Sequence, residues 1–233
     1  MIFLTGDTHG WIDYDKCYQL DSTRFTKRNL KKTDYLIILG DFGILWDRSD
    51  RHKRLVDAWS KKPYTVLFVD GNHDNHDLLN SLPVEIWNGG KVHKISDNII
   101  HLMRGQVFNI DKQSFFVMGG ADSIDKENRL PNISWWKEEL PSFVEYDEGL
   151  ENLEKCDWTV DYILSHACSN YIFYKLVKDH TLMPIVTALN HYFDQLEKEV
   201  TFKHWYFGHY HIDMNVDSSH TALYDNIIKL CKK

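Results

Sequence analysis

The sequence predicts an α/β fold built on mixed β-sheets. Three observations indicate this class. Short and almost continuously apolar runs recur along the chain, as expected for strands buried on both faces. Amphipathic stretches that are typical of helices separate several of these runs. Segments with shorter runs and frequent turn residues interrupt the alternation and indicate antiparallel hairpins, which a purely parallel sheet would not need.

The predicted strands are rich in β-branched or aromatic residues. They cover residues 2–5, 35–39, 64–69, 115–118, 160–164 and 203–207. The predicted helices alternate with them and cover residues 22–31, 48–60, 75–80, 142–155 and 183–198. Pro141 and Pro184 stand near the start of the last two helices, where proline is favoured.

Two segments are typical of hairpins. Between residues 84 and 110 the turn signals are Gly89-Gly90, Asp97-Asn98 and Arg104-Gly105. Residues 212–230 show a similar pattern. No internal repeat, Pro- or Gly-rich linker or long block of like charge divides the 233 residues, so we expect one domain over 1–233.

Composition excludes several classes of protein. Hydrophobic residues make up 43% of the chain, which excludes a disordered protein. The longest apolar runs, such as 35–39, are far shorter than the ~20 residues that cross a bilayer. Residues 1–4 are apolar but lack the basic flank of a signal peptide. We therefore expect a cytoplasmic protein with no membrane partner.

Charge and cysteine content narrow the partners further. A net charge of −7 argues against sequence-independent binding of long nucleic acid, which needs a positively charged surface. A nucleotide or a short oligonucleotide stays possible as a partner. The four cysteines are scattered and form no CxxC pair, so neither a disulfide framework nor a thiolate zinc site is indicated. The oligomeric state stays open.

Five predicted strands end in the same way, with a small residue followed by His, Asp or Asn. The segments are Gly6-Asp7-Thr8-His9, Gly40-Asp41, Gly71-Asn72-His73-Asp74, Ser165-His166 and Gly208-His209-Tyr210-His211. Ligands of open α/β sheets bind at the carboxyl ends of the strands, so we expect these side chains to converge. Glycine at such positions allows sharp turns and a close approach of the backbone to a ligand.

The residue types predict a metal centre without thiolates. Carboxylate, imidazole and amide ligands suit Mn²⁺, with Fe or Zn²⁺ as alternatives. Seven candidate ligands exceed the needs of one tetrahedral ion and suit two ions about 3.5–4 Å apart that share a carboxylate. The candidates are Asp7, His9, Asp41, Asn72, His166, His209 and His211.

A charge count indicates the substrate of such a centre. Two divalent ions with the carboxylates of Asp7 and Asp41 and one bridging hydroxide remain net positive, and the Asn72 amide does not cancel this charge. The open positions therefore favour an anionic oxygen ligand, for which phosphate is the natural candidate. We expect the bridging hydroxide to attack phosphorus. His73 can protonate the leaving oxygen, and Asp74 can orient the His73 ring.

Together these motifs resemble the signature of the calcineurin-like metallophosphoesterase superfamily, in the same order from residue 7 to residue 211. The resemblance implies a four-layer αββα sandwich, in which two mixed sheets pack together between helices. It also implies that Asp41 bridges the two ions and that His73 is the general acid. The implied ligands are Asp7, His9 and His211 for one ion, and Asn72, His166 and His209 for the other.

The chain departs from the family pattern at two positions. Ser165 stands before His166 where the family often has glycine. The second motif lacks the contiguous Asp-Arg-Gly of protein Ser/Thr phosphatases, and Arg48, which lies further along, is a candidate substrate-binding arginine in its place.

Two further segments each allow a functional and a structural interpretation. Residues 119–129 are similar to a loop of bacterial and phage metallophosphoesterases. Lys126 or Arg129 there can neutralise a substrate phosphate, or the segment is a glycine turn with solvated charges. Trp135 and Trp136 can stack on a base or anchor a helix.

The leading function is therefore a dimetal phosphoester hydrolase that acts on a phosphomonoester or a small phosphodiester. A nuclease or cyclic-nucleotide phosphodiesterase is the alternative, because it would use the same metal chemistry. A non-catalytic scaffold that keeps the fold is a more remote alternative.

Overall fold

The computed structural model describes residues 1–177 and 186–230, apart from the side chain of Arg24. In chain order, the strands of this part are β1 (Ile2–Thr5), β2 (Tyr35–Leu39), β3 (Thr65–Val69), β4 (Val84–Trp87), β5 (Gly90–Ser96), β6 (Ile99–Leu102), β7 (Gln106–Ile110), β8 (Gln113–Met118), β9 (Tyr162–Ser165), β10 (His204–Phe207), β11 (Met214–Asn215), β12 (His220–Ala222) and β13 (Ile228–Leu230).

These strands form two mixed sheets. The first has seven strands in the order β13-β1-β2-β3-β6-β5-β4, and the second has six in the order β11-β12-β10-β9-β8-β7. Strands β1, β2, β3 and β6 are parallel in the first sheet, as are β8, β9, β10 and β12 in the second. Antiparallel strands complete each sheet at its edges.

Helices cover the outer faces. In chain order, they are α1 (Thr23–Thr26), α2 (Asp50–Ser60), α3 (His76–Asn80), α4 (Phe143–Glu154), α5 (Asn170–Leu176) and α6 (Ala188–Glu199), with 3₁₀ helices at Tyr14–Asp21, Lys126–Asn128 and Lys137–Glu139. Side chains cap the long helices. Ser49 accepts from His52 N–H at the start of α2, and capping boxes begin α4 and α6. No helix of the described residues is long and apolar enough to cross a membrane.

The alternation of side chains along each strand explains how the sheets and helices stack in layers. Alternate residues of a buried strand face opposite sides of its sheet, so Leu4 lies in the cluster between the sheets while Phe3 packs against α2 and the first 3₁₀ helix. In the second sheet, Leu164 faces the same central cluster, and Ile163 faces α4 and α6. The order helix, sheet, sheet, helix confirms the predicted αββα sandwich.

Several predicted elements differ in the structure. The helix predicted at 22–31 was wrong, since the α-helix covers only Thr23–Thr26 and Lys27 then takes a left-handed backbone, with φ of 62°, that ends it. Helix α5 was not predicted. The helix predicted at 183–198 begins at Ala188 in the described part, and residues 183–185 lie outside that part.

The predicted hairpin block 84–110 is divided between the sheets. Strands β4 to β6 belong to the first sheet, whereas β7 pairs with β8 in the second. The chain thus crosses between the sheets at residues 103–105, and Arg104 lies buried at this crossing. Its Nε and Nη2 donate to Asp70 Oδ2 at 2.8 and 2.5 Å, directly after β3. His101 Nε2 lies 3.0 Å from the other Asp70 oxygen.

We expect the Arg104–Asp70 pair to be important for stability, because removal of one partner leaves a buried charge uncompensated. Arg104→Met should lower the free energy of unfolding in urea by about 3–5 kcal/mol. The control is Lys94→Met, which breaks an exposed ion pair with Glu85 and should cost no more than about 1 kcal/mol. Equal losses in the two variants would contradict this role of Arg104.

Candidate metal centre

The candidate ligands converge at one edge of the sandwich. Strands β1, β2 and β3 end there in the first sheet, and β9 and β10 end there in the second. Because the two sheets pack face to face, the loops after these five strands meet. His209 N–H, for example, donates to Asp7 Oδ1 at 3.0 Å, and His166 Nδ1 donates to the carbonyl of Leu39 at 2.8 Å.

The backbone at this edge is unusual. Non-glycine residues take a left-handed conformation at four candidate ligands, with φ values of 42° for His9, 48° for Asp41, 68° for His209 and 50° for His211. Such conformations cost of order 1 kcal/mol each and concentrate at functional sites. The sequence motifs contain no signal for this strain, which only the folded backbone shows.

Glycines leave the space that the side chains occupy. A Cβ atom at Gly71 would overlap the carboxylate of Asp41, and one at Gly208 would overlap that of Asp7. At Gly40, a Cβ atom would overlap the ring of His166. The glycine before each of these motifs is therefore required by the close packing of loops from different strands.

The first group of candidate ligands is Asp7, His9 and His211, whose donor atoms all lie within 4.8 Å of one another. His211 Nε2 is 3.1 Å from Asp7 Oδ2. His9 Nδ1 lies 2.8 Å from Asp13 Oδ2, so its N–H can donate to this carboxylate and direct Nε2 toward the centre. Asp13 was not among the predicted residues.

The second group is Asp7, Asp41 and His166, all fully buried. His166 Nδ1 donates to the Leu39 carbonyl at 2.8 Å. Its Nε2 lies 3.1 Å from Asn72 Oδ1 and 3.4 Å from Asp41 Oδ2. Because His9 Nε2 is also 3.4 Å from Asp41 Oδ2, this carboxylate lies between the two groups. The His209 ring centre is 4.9 Å from that of His166.

The electrostatic field of the centre attracts cations. Burial alone would lower the pKa of His166, but Asp41 and Asp7 raise it to about 10. His9 is affected in the same way, and its pKa rises to about 9. The pKa of Asp41 is held well below its ordinary value, since the nearby His166 outweighs the effect of burial. Both carboxylates are thus ionised in a region from which water is excluded.

The donor set fits divalent metal ions. Among the described residues, no donor with hydrogen-bond geometry reaches Asp7 Oδ2, although this atom is buried. His166 Nε2, Asn72 Oδ1 and Asp41 Oδ2 also converge here, and a metal ion would take the place of the proton that the two carboxylates hold on the His166 ring. A cation between these atoms would satisfy all of them, and carboxylate, imidazole and amide are ligands of Mn, Fe and Zn ions.

His73 lies beside the centre, where its backbone N–H donates to Asp41 Oδ1 at 2.6 Å. Nη1 and Nη2 of Arg129 each lie 3.1 Å from one ring nitrogen of His73. Arg129 is held in turn by Asp125, at 2.8 Å from its Nε. Burial lowers the pKa of His73, and the positive charge of Arg129 lowers it further, against the opposite effect of Asp41.

Comparison with known proteins identifies the family of this fold and site. A model of calcineurin-like phosphoesterases matches residues 1–213. The chain belongs to the calcineurin-like phosphoesterase family. This confirms the resemblance found in the sequence. The matched domain is that of phosphoric ester hydrolases, in a family whose members generally bind two divalent metal ions.

One similar protein is a lariat debranching enzyme of Schizosaccharomyces pombe. It is 29% identical to the chain over 170 residues. The match covers 64% of this chain and 35% of the relative, so the chain spans about a third of the length of that protein.

A buried network sets the orientation of Asn72 in this phosphoesterase. Asn72 Nδ2 donates to Ser123 Oγ at 3.1 Å, and Ser123 Oγ donates to Glu139 Oε2 at 2.7 Å. The other Glu139 oxygen accepts from Ser123 N–H at 2.8 Å. The amide nitrogen is thus turned away, and the amide oxygen faces the metal centre. The 119–129 segment was singled out for Lys126 and Arg129, with no role assigned to Ser123 within it, and Glu139 lies outside every segment that the sequence analysis named.

Asp74 has a different role from the predicted one. Instead of orienting His73, its carboxylate accepts from Gly43 N–H at 2.8 Å and Gly71 N–H at 2.9 Å. Burial raises the pKa of Asp74 to about 7, with a further contribution from Asp41. Asp74 therefore joins the loops after β2 and β3, and the residue in contact with the His73 ring is Arg129.

The other substrate candidates lie apart from the centre. Lys126 pairs with Asp122 at 2.9 Å at the surface, and Arg48 lines a separate groove beside α2 and α3. Trp136 is fully buried and donates to Asp77 at 3.0 Å, which supports the anchoring interpretation of this residue.

We expect Ser123→Ala to weaken metal binding, because the Asn72 amide loses the acceptor that sets its orientation. Loss of such a supporting contact typically costs 10–100-fold in metal affinity. Metal retained after dialysis against a graded series of chelator concentrations measures this. The control is Ser96→Ala at the end of β5. The Ser96 hydroxyl donates to Asn98 Oδ1, away from the centre, so metal retention should be unchanged. If Ser123→Ala retained as much metal as the wild type, the assigned role of Ser123 in orienting Asn72 would be contradicted.

Proposed function

We propose that this phosphoesterase is dimetal-dependent, with ligands from both sheets. The ligands are Asp7, His9, Asp41, Asn72, His166, His209 and His211. The observation that carries the proposal is the position of Asp41 Oδ2, which lies 3.4 Å from both His9 Nε2 and His166 Nε2. A buried carboxylate between two imidazoles is suited to bridge two cations. Mn²⁺ is the proposed metal on the basis of the thiolate-free donor set.

Two divalent ions at this centre would lower the pKa of a water molecule toward ~7 and stabilise charge on the phosphoryl oxygens. The chain supplies the remaining functions. Buried ligands exclude bulk water from the inner side of the centre, since Asp7, Asp41 and His166 have almost no exposed surface. The surrounding hydrogen bonds keep Asn72 and His9 in fixed orientations, so little reorganisation accompanies the reaction.

His73 is the proposed general acid. Its backbone bond to Asp41 places the ring at the rim of the centre, where a proton on a ring nitrogen can pass to the leaving oxygen. Arg129 is the proposed phosphate-binding residue, because its guanidinium lies against the same ring and carries a permanent positive charge. The two residues together would neutralise the substrate on the side away from the metal ligands.

The similarity to a lariat debranching enzyme favours a second candidate function, which is a debranching or other phosphodiesterase activity. The same ligands and general acid would serve it. A single domain over 1–233 and a cytoplasmic location also remain predictions from the sequence.

Asp41→Asn should remove most of the activity and much of the bound metal, because an amide lacks the charge that a bridging ligand supplies. His73→Gln should retain the metal while the rate falls about 10²–10⁴-fold. Metal analysis and the kinetics of p-nitrophenyl phosphate hydrolysis with Mn²⁺ measure both. Asp50→Asn, on the exposed start of α2, is the control and should match wild type. Full activity in His73→Gln would refute its role as general acid.

A further inference from the structure

A large cleft extends from the metal centre along the second sheet. Its volume is about 530 Å³, and it reaches Asp41, His73 and His211 at one end. Its far wall includes Phe173, Leu189 and Tyr210. Phe173 and Tyr210 lie 5.7 Å apart between ring centres, and the Tyr210 hydroxyl is bonded to Cys168 behind the wall. The cleft therefore presents a partly fixed aromatic surface beside the centre.

A second and smaller cleft begins at the same imidazole. Its volume is about 240 Å³, and His73 and His9 line its inner end. Trp11, Trp46 and Arg51 line the remainder. Trp46 packs edge-on against the buried Trp136 at 5.4 Å, so its ring is held in place. His73 thus lines both clefts.

The number of clefts beside the reacting phosphorus indicates whether the site suits a phosphomonoester or a phosphodiester. A phosphomonoester has one carbon substituent on phosphorus and needs one cleft, whereas a phosphodiester has two substituents and needs two. Among the described residues, both clefts adjoin the position of a phosphorus atom at the metal centre, because His73 lines both of them and candidate ligands line each. Both clefts have aromatic walls, and such walls bind flat bases by stacking.

We propose that the substrate is a phosphodiester joining two nucleosides, with one nucleoside in each cleft. The proposal rests on the phosphoester hydrolysis proposed above and specifies its substrate. Water adds at phosphorus, the bond from phosphorus to one nucleoside oxygen breaks, and that oxygen takes a proton. The products are one nucleoside and one nucleoside monophosphate. The net charge of −7 agrees with a short substrate rather than with long nucleic acid.

The test compares hydrolysis of dinucleoside phosphates, linked 3′–5′ or 2′–5′, with hydrolysis of p-nitrophenyl phosphate, all with Mn²⁺. Wild type should show a higher kcat/KM for at least one dinucleoside phosphate. Trp46→Ala and Phe173→Ala should each reduce the ratio of the two kcat/KM values about 5- to 150-fold, as expected for the loss of one stacked base. The loss should be mainly in KM, because stacking does not touch the reacting atoms.

The controls separate binding from folding. Tyr171→Ala removes an exposed aromatic ring of α5 that lines neither cleft, and its ratio should equal that of wild type. Trp46→Phe retains a flat ring and should restore most of the ratio. Hydrolysis of p-nitrophenyl phosphate without preference for either dinucleoside phosphate would overturn the substrate proposal alone. Failure to hydrolyse any of the three phosphoesters would instead overturn the proposed function.

Discussion

The structure depends on the burial of two carboxylates, Asp7 and Asp41, at the edge where the two sheets meet. Neither is exposed to water, and burial of an ionised carboxylate is costly unless positive charge lies nearby. His166 and His9 supply part of this charge, and the geometry around them leaves room for cations. The strand ends, the left-handed turns and the surrounding hydrogen bonds hold the two carboxylates in this arrangement.

The support for the centre extends well into the molecule. The Asn72 amide is tied through Ser123 to Glu139, and the backbone carbonyl of Glu139 accepts from Arg104 Nη2 at 3.3 Å. Arg104 is also paired with Asp70 at the end of β3. The crossing between the sheets is therefore connected to the candidate ligand Asn72 by a continuous series of buried hydrogen bonds. Precise positioning of this kind limits reorganisation during catalysis.

The candidate metal centre and the walls of the clefts beside it come largely from different segments of the chain. The motifs that carry the candidate ligands lie within residues 1–213, the part of the chain that matches the family. The walls of the clefts come from the loop before α2 and from α5, α6 and their flanking loops. Apart from Tyr210, the wall residues named above lie outside the motifs, so the chemistry can stay constant while the groups beside the centre change.

The sequence alone determined the fold class, the family and the candidate ligands, since apolar runs and the polar residues after them are local patterns. It also placed His73 beside them. The tertiary structure decided which partner each side chain has. Asp74 binds two backbone N–H groups rather than His73, and Arg129, 56 positions away in sequence, contacts the His73 ring instead. Contacts between distant segments depend on how loops pack, and no local pattern encodes that packing.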